Sequence, residues 1–162
     1  MTRTSIRLTA AALLLATAVA AGIAKADVMK EGSGPLLTVK SARPVKETLD
    51  RLQQYVTEHG FVLVARVSHS DAAKTVGLEL RPTELLVFGN PKGGTPIMQC
   101  NQRAGIDLPL KALAWQDASG QVLVGMNDPQ AFKLRFQLGA ECDGALAATS
   151  AMVKDFLGSV EK

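Results

Sequence analysis

Aromatic side chains are scarce in this chain of 162 residues, which holds one Trp, one Tyr and five Phe. That scarcity excludes a platform on which successive bases of a single strand could stack. Histidine and cysteine occur twice each, and no cluster of them has the spacing of a metal cage. No Gly-Lys-Ser or Gly-Lys-Thr opens a helix, so Walker-type nucleotide binding is rejected. No catalytic triad of recognised spacing is visible. Internal repeats and low-complexity tracts are missing after residue 26. What remains to be read is address, architecture and a few isolated polar residues.

The address comes from the first 26 residues, which read as a secretory signal peptide. Arg3 and Arg7 supply the positive start, an apolar run extends from Leu8 to Ala24, and Ala24-Lys25-Ala26 forms a small-x-small cleavage site before Asp27. An uncleaved anchor would need about 20 apolar residues. The run is shorter and is weakened by Thr9, Thr17 and Gly22. No Cys near the cleavage point offers a lipid attachment. The expectation is a periplasmic or secreted protein without a stable membrane anchor, with a lead-in over residues 27–35 and one domain over residues 36–162.

Cleavage also changes the charge. The whole chain carries +3, from 18 basic and 15 acidic residues. Arg3, Arg7 and Lys25 leave with the signal and no acidic residue leaves with them, so 15 of each sign remain. Nucleic acid is therefore not expected as a partner. An exported domain of this size can bury a real core. An even count of two cysteines in an oxidising compartment argues for a Cys100–Cys142 disulfide. The competing arrangement pairs Cys100 with Met98 as soft ligands for copper.

Along the domain, Leu36 to Ala42 reads as a first strand. Pro44 opens a helix whose apolar residues Val45, Leu49, Leu52 and Val56 recur at helical spacing, and Gly60 ends it, with His59 set against its C-terminal dipole. Phe61 to Val67, nearly all apolar, reads as a strand buried on both faces or crossing the sheet centre. Asp71 caps one or two helical turns, Thr83 to Gly89 forms a third strand, and Thr95 with Pro96 opens a short helix to Asn101. Leu110 to Gln116 and Gln121 to Met126 make a hairpin around Asp117-Ala118-Ser119-Gly120. Asp128-Pro129 starts a helix with Phe132 and Phe136 that Gly139 stops. Asp143 caps a last helix carrying Leu146, Val153, Phe156, Leu157 and Val160. The order is strand, helix, four strands, helices: an α+β domain with an antiparallel sheet covered by helices on one face. Its other face predicts dimerisation through the sheet.

The stretch from Gly77 to Lys92, Gly-Leu-Glu-Leu-Arg-Pro-Thr-Glu-Leu-Leu-Val-Phe-Gly-Asn-Pro-Lys, resembles the signature of the domain of unknown function 302 family. Thr95-Pro96-Ile97-Met98-Gln99, Asp107-Leu108-Pro109-Leu110-Lys111, Asn127-Asp128-Pro129 and His69 followed by small residues resemble it too. The resemblance covers roughly residues 36–157. It implies a single-copy fold of the TATA-binding-protein-like class in strand-helix-four strands-helix order, and a homodimer. It implies no activity and no DNA binding, since function belongs to sites and not to scaffolds.

Among single residues, His69 is the foremost candidate for chemistry, either as a satisfied structural imidazole or as a ligand. Glu79 and Glu84 flank Arg81 and are expected to pair with Arg81 or Arg66 rather than to act as acid and base. The Gly89 to Cys100 loop and helix offer Asn90, Lys92, Thr95 and Met98 for a small ligand, with Thr95 and Lys92 suited to an anion or carboxylate. The leading reading is a non-enzymatic, dimeric module that binds a small ligand or partner through this segment and His69, with Arg81 and Glu84 nearby. The alternatives are copper or zinc handling through His69 and Met98, and an uncharacterised hydrolase. No cofactor is implied by any motif.

Overall fold

A computed structural model describes residues 36–160. The expected signal peptide and lead-in lie outside the described residues. Five strands form one antiparallel sheet in the order β1-β5-β4-β3-β2, with β1 at Leu36–Ser41, β2 at Val62–Ser68, β3 at Thr83–Gly89, β4 at Leu110–Gln116 and β5 at Val122–Asn127. The helices are α1 (Val45–Glu58), α2 (His69–Thr75), α3 (Pro91–Cys100), α4 (Pro129–Arg135) and α5 (Asp143–Val160). The chain is thus the α+β domain that its pattern suggests.

Strand alternation decides which residues meet the helices. Leu37, Val39, Leu86, Phe88, Ala112, Ala114, Val124 and Met126 point to one face, where Leu49, Leu52 and Val56 of α1 and Val153, Phe156 and Leu157 of α5 close the core. Phe88 stacks on Phe156 with ring centroids 4.9 Å apart. A second apolar cluster gathers Ile97 of α3, Phe132 and Phe136, Leu138, Cys142 and Leu146 beside the sheet. Cys100 and Cys142 are joined within it, their Cα atoms 6.2 Å apart.

The hairpin forms where the pattern places it. Leu113 faces Gly125 and Trp115 faces Leu123 across β4 and β5. Asp117 locks the connection by accepting from the backbone N–H groups of Ser119 (2.8 Å) and Gln121 (2.9 Å).

Several local expectations give way. β2 is an edge strand and not a central one: Val62 is 60% exposed and Val64 57%. Its apolar run fits a buried strand, but the connection through α1 carries the chain from the β1 edge to the opposite edge of the sheet. Ser68, not Asp71, caps α2, its Oγ accepting from the N–H of Asp71 at 3.1 Å. α3 begins at Pro91 with Asn90 as cap, five residues before the expected start, so Pro96 sits inside the helix. A cap residue followed by Pro occurs twice in that segment, and the earlier pair wins. After α4 it is Gln137 that adopts the left-handed conformation, φ 52°.

Candidate functional site

The turn from β3 into α3 and the exposed start of β2 enclose a cleft of about 420 Å³. Its walls come from four parts of the chain: Phe61, Val62 and Val64 at the β2 edge, Asn90 to Met98 along α3, Leu108 to Leu110 entering β4, and Thr149 with Met152 on α5. Each is there for a local reason. Asn90 ends β3 and turns the chain by capping α3, its Oδ1 accepting from the Lys92 N–H at 2.9 Å, while its Nδ2 donates to the Gly60 carbonyl at 3.2 Å. One side chain therefore ties the end of α1, the start of α3 and the mouth of the cleft together. Gly105 lies so close to Met98 that a Cβ there would come within 3.2 Å of the Met98 Sδ.

The chemistry of this cleft is apolar. Ile97 is fully buried, and Phe61, Val62, Val64, Met98, Leu108 and Met152 supply most of the rest. Two of its three polar side chains are already committed: Asn90 as above, and Thr149, whose Oγ1 donates to the Ala145 carbonyl at 2.9 Å; the third, Thr95, is exposed at the rim. The first turn of α3 does not offer the anion-binding donors expected from sequence. Pro91 has no N–H, Lys92 gives its own to Asn90 Oδ1, and Gly93 and Gly94 give theirs to the Asn90 carbonyl at 2.9 and 3.0 Å. Such a lining suits the hydrophobic part of a ligand.

Of the residues singled out in the sequence, Asn90, Thr95 and Met98 line the cleft. Lys92 is exposed on the first turn of α3. His69, Arg81 and Glu84 lie elsewhere. His69 is the exposed first residue of α2, beyond the Ser68–Glu84 end of the β2–β3 ladder, whereas α3 follows the Val62–Gly89 end. Those ends are about 20 Å apart, six residues at the rise of a strand. One ion cannot be held by both His69 and Met98, which removes the ligand pair expected for copper or zinc. Arg81 Nε donates to the Gln116 carbonyl at 3.0 Å. Glu84 accepts from Arg66 Nη2 at 2.7 Å, and Arg66 Nη1 reaches Asp50 at 2.5 Å. The pairing of Glu84 with Arg66 is the structural role expected of it.

The walls from β2, Leu108 and Met152 were invisible to sequence reasoning, because an exposed strand edge and an α5 methionine carry no motif. The apolar run Phe61 to Val67 was the one available signal, and it reads equally well as a buried strand.

The profile of the family described as "Domain of unknown function DUF302" matches residues 37–156. Two proteins named "Fluoride-specific ion channel FluC 1", from Brucella suis biovar 1 (strain 1330) and Brucella abortus biovar 1 (strain 9-941), are each 44% identical over 113 residues, covering 70% of this chain. The chain spans less than half of their length, 44% and 42%. A crystal structure of an uncharacterized conserved DUF302 protein from Bacillus stearothermophilus superposes with a TM-score of 0.71 at 22% identity, over 78% of this chain and 98% of that one. No described helix is long and apolar enough to cross a membrane.

Proposed function

The chain belongs to the Domain of unknown function DUF302 family, and from that premise we propose that it is an exported, dimeric, non-enzymatic module whose cleft beneath α3 receives an apolar group of a small ligand or partner. The cleft of about 420 Å³, apolar in its walls and with Asn90 and Thr149 bonded elsewhere, carries this reading. A non-enzymatic role accords with the scattering of His69, Arg81 and Glu84 away from the cleft. Dimerisation is supported by the second sheet face, where Leu85, Val87, Leu113 and Trp115 stay half-exposed. Export is supported by the N-terminal pattern of residues 1–26.

The test uses anilinonaphthalene sulfonate as probe. Saturable 1:1 fluorescence enhancement is expected, weakened tenfold or more by Val64→Asp, a change on an exposed wall that leaves the melting temperature in place. Equal binding by the variant, or no saturable binding, refutes the cleft. A monomer mass by light scattering counts against the dimer, and a mature N-terminus other than Asp27 counts against the cleavage site.

A second reading is favoured by the channel-named relatives. This chain matches less than half of each, and its described part has no membrane-crossing helix. Under that reading the domain works beside a fluoride-transporting membrane protein. Cells lacking this chain would then export fluoride more slowly, as read by a fluoride electrode; identical efflux with and without it speaks against the association.

A further inference from the structure

At the C-terminal end of α3, Cys100 Sγ, Cys142 Sγ and a Glu141 carboxylate oxygen all lie within 4.8 Å of one another. We propose that these three side chains form a zinc site that the disulfide masks and that a dithiol reductant opens. The site uses none of the cleft-lining side chains, and neither His69 nor Met98.

Glu141 is exposed, and its side chain folds back over Gly139, its carboxylate occupying the space an added Cβ would take. In that conformation Glu141 Oε1 stands 3.7 Å from Cys142 Sγ. Cys142 immediately precedes α5, an 18-residue helix whose N-terminus favours a thiolate. Cys142 is fully buried against Ile97, Phe132 and Leu146, whereas Glu141 is exposed. An ion would therefore enter from the carboxylate side and meet an apolar wall behind the sulfurs.

The backbone spacing also fits. At a Zn–S distance of about 2.3 Å, tetrahedral geometry needs the two sulfurs about 3.8 Å apart. Cα atoms 6.2 Å apart allow that separation by rotation about the two Cα–Cβ bonds. Two thiolates and one carboxylate leave the fourth position to water. The steps balance. A dithiol reduces the Cys100–Cys142 bond and is itself oxidised to a disulfide, giving two thiols here. Zn²⁺ then displaces both thiol protons to solvent without electron transfer.

The experiment treats the protein with tris(2-carboxyethyl)phosphine, removes the reductant, titrates Zn²⁺ by calorimetry and follows melting by circular dichroism. The reduced protein is expected to bind one Zn²⁺ and melt higher with it, and the oxidised protein to bind none. Glu141→Gln, which keeps both cysteines, should weaken binding tenfold or more. Three results overturn the proposal: no 1:1 binding after reduction, affinity unchanged in Glu141→Gln as two thiols of an unfolded chain would give, or a reduced chain that stays unfolded with Zn²⁺ present.

Discussion

Trp115 rests against Gly125 of the neighbouring strand, where an added Cβ would come within 3.1 Å of the indole ring. The contact lies on the sheet face away from α1 and α5, and it explains how Gly125 and Leu123 are buried there. Gly125→Val should displace the ring and destabilise the fold by about 1–3 kcal/mol. Because Trp115 is the sole Trp of the chain, its emission reports the displacement directly. An unchanged spectrum together with an unchanged denaturation midpoint would show that the close approach has no consequence.

Asp50 links stability to acid. The Arg66 guanidinium, and after it the Lys46 ammonium, hold its carboxyl below the ordinary 3.8. A carboxyl that releases its proton more readily in the folded chain stabilises the fold above its unfolded value. That contribution fades as pH falls from about 4 through the lowered folded value. Melting temperatures between pH 2 and 6 should therefore drop less steeply at the acid end in Arg66→Ala, whose melting temperature is lower throughout. Parallel curves for the two proteins would remove Arg66 as the cause.

Tyr55 acts at the opposite end of the pH scale. Burial, reinforced by its hydrogen bond to Asp155, pushes the phenol from 10.0 up to about 12. The folded state holds this proton more tightly than the unfolded chain, so the associated stability is complete below pH 10 and is lost as pH rises toward 12. There is one Tyr in the chain, and the ultraviolet absorbance titration is expected to show a single step near 12. In Asp155→Asn the step should move toward 10. A wild-type step at 10 would contradict the environment described.

The Cys100–Cys142 bond closes 42 residues, and chain-entropy reasoning assigns it about 4 kcal/mol. Replacing both cysteines by Ala should lower the denaturation midpoint accordingly and steepen the slope against denaturant, because the unlinked unfolded chain exposes more surface. A midpoint shift near zero would mean that packing of α3 against the second apolar cluster alone holds this corner.

How far the sequence reaches is clear from particular elements. The period-two apolar residues of Leu110 to Gln116 and Gln121 to Met126, with Asp117 and Gly120 between them, specify a hairpin because each requirement is local. The stripe of α1 and the Asp128-Pro129 start of α4 are legible for the same reason. Caps were harder to place, since Asn90-Pro91 and Thr95-Pro96 both satisfy the rules for a helix start. Of the candidate site, only the α3 segment was within reach. The walls from β2 and α5 are separated from it by tens of residues.

Taken by itself, the order of residues determined the α+β class, the number and type of the main elements, and the pairing of the two cysteines as the favoured state, because hydrophobic period, turn chemistry and cysteine count act over short distances or over the whole composition. Tertiary structure alone decided that β2 lies at the sheet edge, that His69 and Met98 stand at opposite ends of the β2–β3 ladder, and that Glu141 leans over Gly139 toward the disulfide. Those outcomes depend on how crossovers order the strands and where helices dock, and docking is set by the summed burial of distant side chains, which no short stretch of sequence contains.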